Sequence, residues 1–465
     1  MLFSSTIFIF GFLPAVLFFY YVLLRKSRTA QNLLLTLMSL FFYAWGEPVF
    51  VLVMIAVIVL NYFFALLVDK YREQKKRAKL IISATLVSNL SIFFVFKYLV
   101  FTLSNINSWF NADILVPDIA LPIGISFFMF QAISYVLDVY RQTGEVQKNL
   151  MNVALYVSFF PQLIAGPIVR YQTIADQIKN RKETLDDFTD GVCRFVVGLG
   201  KKVLLANTLA IVADNAFASE NLSVAFAWLG ALAYTFQIFY DFSGYSDMAL
   251  GLGKMFGFHF LENFDYPYIS KSVSEFWRRW HISLGSWFRD YVYFPLGGSR
   301  VDTKAKLIFN LFVVWFLTGI WHGANWTFIL WGLMYFVLIA LEKLTRFDKK
   351  LGVFGHIYTL FFVILGWVLF RANDITHAIT YIKSMFGMSR NLIVDETAWL
   401  NLTDNKYFFL AALLFSFPVA PWLRKRFNNN WVANIIYPLL LVAVFAVAVS
   451  YVVKGSYNPF IYFNF

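Results

Sequence analysis

Apolar runs separated by short polar stretches make up most of this chain. Runs long enough to span or nearly span a bilayer lie at 7–24, 32–45, 49–68, 80–103, 119–139, 191–213, 223–242, 307–321, 325–341, 353–370, 407–422 and 431–453. A perpendicular helix needs about 20 apolar residues to cross the hydrocarbon. Several runs fall short, so they lie within protein, thin the bilayer locally, or extend past their apolar residues. A further run, 150–168, contains Pro161, Gly166 and Pro167. These residues predict a re-entrant or in-plane segment, because irregular backbone at membrane depth survives only under cover of protein or water. The pattern therefore predicts an all-α polytopic membrane protein with about 11–12 transmembrane helices plus re-entrant and interfacial helices. No fixed-period repeat interrupts it, and 1–465 reads as a single domain with an aromatic tail at 456–465.

Composition supports the membrane reading. The chain is 60% hydrophobic and 14% charged, against about 25% charged in an ordinary soluble domain. The first apolar run has no basic residue before it, and no small-residue cleavage site follows Arg25, so it is expected to be a retained helix and not a secretory signal. The single cysteine, Cys193, leaves no internal disulfide or cysteine metal cluster to expect.

A net charge of +12 would suit nucleic acid, but the positions of the charges speak for topology. Arg25, Lys26 and Arg28, the run from Lys70 to Lys79, Arg170 to Lys182, the 243–306 region, Lys343 to Lys350 and Arg424 to Arg426 all fall on one side of the predicted spans. That bias marks the cytoplasmic face and puts both termini outside.

Four stretches carry candidate chemistry. In Trp321-His322-Gly323-Ala324-Asn325, two apolar helices meet with no loop long enough to reach water freely. An ionisable residue held there is costly and points to function, although a lone histidine can also be a structural hydrogen-bonder. Gly319 and Gly323 allow close approach by a neighbouring helix or a narrow substrate tail.

In the second stretch, Ser272 and Glu275 form a capping-box pattern. Phe276, Trp277, Trp280, His281, Leu284, Trp287, Phe288 and Tyr291 then recur on one face, which predicts an interfacial amphipathic helix with His281 facing inward. Taken alone, His281 reads as a packed histidine bonded to a carbonyl. The third stretch, Tyr240 to Asp247, closes the run 223–242, and its carboxylates Asp241 and Asp247 need partners at that depth and could orient a histidine. Within 191–213, Arg194, Lys201 and Lys202 interrupt the apolar pattern. They either snorkel to the interface or, for Lys201 and Lys202, meet the phosphates of a donor substrate. The fourth stretch is the apolar ending Tyr457 to Phe465, unusual for a free terminus.

These blocks together resemble a known family. Leu121-Pro-Ile-Gly-Ile-Ser126, Phe159-Phe-Pro-Gln-Leu-Ile-Ala-Gly-Pro167, Asp241-Phe-Ser-Gly-Tyr-Ser-Asp247, Glu275-Phe-Trp-Arg-Arg-Trp-His-Ile-Ser283, Trp321-His-Gly323 and Asn458-Pro-Phe-Ile-Tyr462 resemble, in order, the bacterial alginate O-acetyltransferase branch of the membrane-bound O-acyltransferase superfamily. The resemblance covers nearly the whole chain. It implies a ring of helices around a thin centre with a funnel on each side, and acyl transfer from a cytoplasmic donor to an acceptor on the far side.

Under the resemblance, His322 corresponds to the catalytic histidine and His281 to a second motif histidine, with Asp241, Asp247, Trp321 and Asn325 in support. Tyr462 resembles the tyrosine proposed to carry the acyl group in a small partner protein of teichoic acid D-alanylation. The implied donor is acetyl-CoA, with no bound cofactor and no metal. Implied partners are membrane lipid, an extracytoplasmic protein with a Ser-His-Asp hydrolase-like (SGNH-type) domain, and an exported polysaccharide; nucleic acid is not among them. The implied location is the bacterial cytoplasmic (inner) membrane. Alternatives are D-alanyl transfer to teichoic acid and, in a different class, a secondary transporter, although the inverted repeat of many transporters has no counterpart here.

Overall fold

A computed structural model describes residues 1–427, 431–455 and 457–459. Among these the chain is all-helical and divides into two compact units, Met1–Phe195 with Ser246–Leu261, and Val196–Tyr245 with Glu262–Phe465. Seven described helices are long and apolar enough to cross a membrane: Phe50–Lys70, Lys75–Lys97, Leu185–Ala218, Lys304–His322, Trp326–Thr345, Phe354–Arg371 and Ile435–Val453. The other expected spans are shorter, more polar or broken helices.

The first unit begins with α1 (Phe8–Leu23), α2 (Arg28–Ala44), α3 (Phe50–Lys70), α4 (Lys75–Lys97) and α5 (Leu99–Phe110). The expected run 80–103 is thus two helices, divided at Tyr98. Buried polar side chains join neighbouring helices: the amides of Asn61 and Asn89 pair reciprocally between α3 and α4, at 2.8 and 3.0 Å. With lipid outside, such pairs and close backbone packing take over the adhesive role that water-driven burial plays in soluble proteins.

After a non-helical Leu121-Pro-Ile stretch, α6 (Ile125–Tyr140) opens at Gly124, which has a left-handed φ of 74°. The run around Pro161 is broken as expected, into α7 (Leu150–Ser158) and α8 (Phe160–Leu163), followed by α9 (Tyr171–Asn180). Residues 155–169 are buried without interruption. The Phe160 N–H exposed by the break donates to Ser39 Oγ at 3.0 Å, so protein supplies the cover that the broken backbone requires.

The division between the units falls within α10 (Leu185–Ala218) and α11 (Val224–Met255). In the first unit these two helices touch backbone to backbone: a Cβ on Gly191 would lie 2.6 Å from the Gly251 carbonyl oxygen. Arg194 there pairs with Asp247 at 2.9 Å. In the second unit a Cβ on Gly244 would lie 2.8 Å from the Gly198 carbonyl oxygen. Helix α11 runs through the Tyr240–Asp247 cluster to Met255, so the cluster does not close the span. Charges at that depth need no exit from the membrane once α10 supplies their partners.

The second unit continues with α12 (Val273–Arg279), α13 (Ile282–Phe288), α14 (Lys304–His322), α15 (Trp326–Thr345), α16 (Phe354–Arg371), α17 (Ile375–Met385), α18 (Glu396–Phe415), α19 (Val419–Arg426) and α20 (Trp431–Val453). Helices α14 and α15 form a tight hairpin. A Cβ on Gly319 would meet the Phe328 carbonyl oxygen at 2.6 Å, and one on Gly332 the Trp315 carbonyl oxygen at 2.5 Å.

Candidate active site

Helix α14 starts at Thr303, whose hydroxyl accepts the Lys306 N–H at 3.2 Å, and ends at His322. Three residues later Asn325 caps α15, its Oδ1 accepting the Thr327 N–H at 3.0 Å while its Nδ2 donates to the Asn373 carbonyl at 2.8 Å. The turn is therefore fixed at both ends, and His322 cannot swing out with a loop. Its side chain is buried, 6% exposed, among aromatic rings met edge-on: Trp321 and Trp331 at 4.9 Å and Phe370 at 5.1 Å between centroids. Helix packing is one of the two uses expected of the glycines. A Cβ at Gly323 would strike the Phe328 ring at 2.3 Å, and Phe328 in turn packs on Phe370 at 4.9 Å.

His281 sits differently from the expectation of one continuous amphipathic helix. Ser272 does cap α12, accepting from the Glu275 N–H at 3.1 Å. The helix stops at Arg279, however, and His281 takes a left-handed φ of 46° before α13 begins. The cause lies outside the segment, at the buried Asn263. Its backbone carbonyl accepts the Ile282 N–H at 3.0 Å. Its side-chain oxygen accepts the Ser283 N–H at 3.1 Å and the Ser283 hydroxyl at 2.9 Å. These bonds satisfy the first donors of α13 from a neighbouring stretch of chain, which makes the break worthwhile. The aromatic face predicted for one helix still points inward, with Phe276, Trp280, Leu284, Trp287 and Phe288 buried.

The same amide fixes the tautomer of His281. Nδ1 lies 3.2 Å from Asn263 Oδ1. That atom accepts a backbone N–H and is therefore the oxygen, so Nδ1 carries the proton and Nε2 is the lone-pair nitrogen. Burial lowers the His281 imidazole to about 3, which keeps it neutral at physiological pH. Phe242 meets its ring edge-on at 4.6 Å, and Trp321 stands 6.1 Å away. Both imidazoles thus neighbour the one indole of Trp321.

The carboxylates serve other partners. Asp241 and Lys202, 1% and 2% exposed, form an ion pair at 2.5 Å. Asp247 receives both Nε and Nη2 of Arg194, at 3.0 and 2.9 Å. Lys202 is thus paired with a buried carboxylate, while Lys201 is half-buried beside it. Tyr462 lies outside the described residues. Among the described residues no group of three His, Cys, Asp or Glu side chains is placed to hold a metal ion.

The model of the membrane-bound O-acyltransferase family matches residues 145–376, a segment that contains both histidines. A probable alginate O-acetylase AlgI of Pseudomonas putida is 39% identical over the full length of both chains. Another, of Pseudomonas syringae pv. tomato, is 46% identical over 83% of this chain and 75% of its own. The chain belongs to the membrane-bound O-acyltransferase family. A peptidoglycan O-acetyltransferase of Helicobacter pylori is 32% identical over all of this chain and 98% of its own. A teichoic acid D-alanyltransferase of Bacillus subtilis is more distant, 28% identical over 55% of this chain and 70% of its own.

This membrane-bound O-acyltransferase is a multi-pass membrane enzyme of the O-acetyltransferase kind, which sets the transporter reading aside. Sequence reasoning missed Asn263 and Ser283 as the residues that hold His281, and Trp331 and Phe370 as the walls around His322. Asn263 had one available signal: an amide among charged and aromatic neighbours, Glu262-Asn263-Phe264-Asp265, just before a predicted helix. Trp331 and Phe370 had none, since each lies in an apolar run that reads only as a span.

Proposed function

We propose that this enzyme moves an acetyl group from cytoplasmic acetyl-CoA to a hydroxyl of an exported polysaccharide, working from the cytoplasmic membrane with an extracytoplasmic partner protein. The acceptor class follows from the relatives, which are alginate and peptidoglycan O-acetylating proteins by name. The observation that carries the chemistry is a pair of buried imidazoles sharing the Trp321 indole, one ending α14 and the other held in a single neutral tautomer.

His322 is the general base. A neutral imidazole has a nitrogen lone pair able to take up the proton. It takes the proton of the attacking hydroxyl as the oxygen bonds to the thioester carbonyl carbon. The tetrahedral intermediate then collapses, the C–S bond breaks, and the imidazolium returns the proton to the departing thiolate. The products are an ester and free CoA. The aromatic walls exclude the water that would otherwise hydrolyse the thioester. His281 acts beside it as a neutral acceptor through Nε2.

The hydroxyl that attacks first is Tyr462. A phenol with an ordinary value near 10 is not far from a thiol, so a tyrosyl ester keeps most of the thioester's transfer potential, and onward transfer to a sugar runs downhill. The test is CoA release from acetyl-CoA by membranes holding the enzyme, its partner and acceptor. Wild type releases CoA, and His322→Ala lowers the rate by about 100-fold or more; equal rates would remove the base assignment. A Tyr462→Phe enzyme with full acetylation would remove the tyrosine relay alone.

A further inference from the structure

Three consecutive residues near the C-terminus make three polar contacts to one helix. The Tyr457 hydroxyl donates to Asp214 Oδ2 at 2.7 Å. Asn207 Nδ2 donates to Asn458 Oδ1 at 3.2 Å. The Lys202 ammonium donates to the Pro459 carbonyl oxygen. Residues 457, 458 and 459 thus run antiparallel to α10, meeting positions 214, 207 and 202 in turn.

The helix is built to present these three side chains together. Asn207 and Asp214 are seven residues apart, about two α-helical turns, and share a stripe. Lys202, five residues before Asn207, would leave that stripe in a regular α-helix. Residues Lys201–Ala206, however, form a π-helical segment, in which residues five apart are bonded neighbours. The π turn brings Lys202 back into line.

Two of the contacts are also secured from behind. Asp241 holds Lys202, both nearly fully buried, and Arg371 holds Asp214 at 2.6 Å. A buried ammonium has three hydrogens to place. The Pro459 carbonyl takes one, and Asp241 balances the charge as its ion-pair partner.

We infer that Lys202, Asn207 and Asp214 form an anchoring site for the C-terminal segment, with Asp241 and Arg371 as its supports, and that Lys202 is a positioning residue for whatever follows Pro459. The Lys202–Asp241 pair therefore serves the tail and not the phosphates of the donor. Tyr462 is three residues further on, a reach of about 10 Å at full extension. The functional half of the inference, that the anchor sets where the Tyr462 hydroxyl acts, rests on the acyl-relay reading; the anchor itself does not.

The test is maleimide labelling of full-length enzyme in detergent, carrying Pro459→Cys in a Cys193→Ser background. Pro459→Cys keeps the backbone carbonyl that Lys202 holds. Removing one member of a buried ion pair strands the other charge, whereas neutralising both is commonly tolerated, so the pair is removed as Lys202→Met with Asp241→Asn. Labelling at position 459 is expected to rise about tenfold when that pair is removed, which is what loss of one anchor with about 1.4 kcal/mol of holding power gives. Tyr457→Phe, a change at an exposed ring, is expected to raise labelling by a few-fold and covers the case of a double variant that does not fold. Unchanged labelling in both overturns the anchor.

For the positioning role, the double variant is expected to lose kcat for acetyl transfer with KM for acetyl-CoA unchanged. Faster labelling with kcat intact overturns that role. A raised KM with slow labelling returns Lys202 to the donor. Should Tyr462→Phe prove fully active, the relay fails while the labelling result stands on its own.

Discussion

At the scale of single residues, the proposed chemistry rests on two histidines in unlike settings. His322 is held by a helix hairpin among aromatic rings, and His281 by one amide. Asn263→Ala removes the acceptor that fixes the Nδ1–H tautomer, along with two bonds to Ser283. Acetyl transfer is expected to fall about 10- to 100-fold, the range seen when a partner orienting a functional histidine is lost. Asn263→Asp keeps the acceptor and is expected to recover part of the rate. Equal activity in all three proteins would mean that His281 is only packed.

His281 also makes a pH prediction. Its imidazole is held at about 3 in the fold, against about 6.5 in the unfolded chain. Between those values only the unfolded chain takes up the proton. The contribution to stability is therefore complete above about pH 6.5 and is lost progressively as the pH falls toward 3, by at most about 1.4 kcal/mol per pH unit. Thermal midpoints in detergent, followed from about pH 7.5 down to about pH 5, are expected to fall more steeply for wild type than for His281→Asn. Parallel curves would show that the ring is solvated.

At the scale of elements, two features position the histidines. In the α14–α15 hairpin, Gly319 and Gly332 leave no room for a Cβ against opposing carbonyls. Backbone cannot yield as a flexible side chain can, so Gly319→Ala is expected to cost about 1–3 kcal/mol and to displace His322. Lower thermal midpoint and lower activity together are the expected result; an unaffected enzyme would show that the hairpin is looser than described. The second feature is Glu342 at the far end of α15. Its two carboxylate oxygens accept the Val273 and Ser274 N–H groups at 2.7 and 2.8 Å, holding the start of α12, the helix that leads to His281. Glu342→Ala is expected to lose about 1–2 kcal/mol, as for a lost helix cap, and Glu342→Gln less.

The capping residue Ser272, the hairpin around His322 and the broken segment at Pro161 were legible in the sequence because each depends on local chemistry; the cap supplied by Asn325 was not read there. The break at His281 was not, because its cause is Asn263, 18 residues earlier and outside the helical pattern. The interrupting charges of α10 and the acidic cluster of α11 were read as separate puzzles. Each turns out to be the other's answer, Arg194 with Asp247 and Lys202 with Asp241. Pairing between helices leaves no periodic trace in either helix alone, which is why spacing could not disclose it.

At the scale of the whole molecule, alternation of apolar and polar runs was enough for an all-helical membrane protein, and the ordered motif blocks were enough for the family. Span boundaries were less legible, because helices such as α10, with 34 residues, and α11, with 32, continue through charged positions that are balanced by ion pairs between them. The acceptor is unreadable for a related reason. Its recognition falls to groups that meet an exported polymer, while the residues most clearly patterned here serve packing and the proposed proton transfer.

Acetyl transfer to an exported glycan through His322 is tested by the ester-linked acetyl content of each envelope polysaccharide in a strain lacking this protein, complemented with wild type or with His322→Ala. One polymer is expected to lose its acetyl groups in the deletion strain and to regain them with wild type. His322→Ala is expected not to restore them, although it accumulates in the membrane to the same level. Restoration by His322→Ala would contradict the catalytic assignment. No change in acetyl ester in any polymer would contradict the acetyl transfer itself, and D-alanyl esters would be measured next.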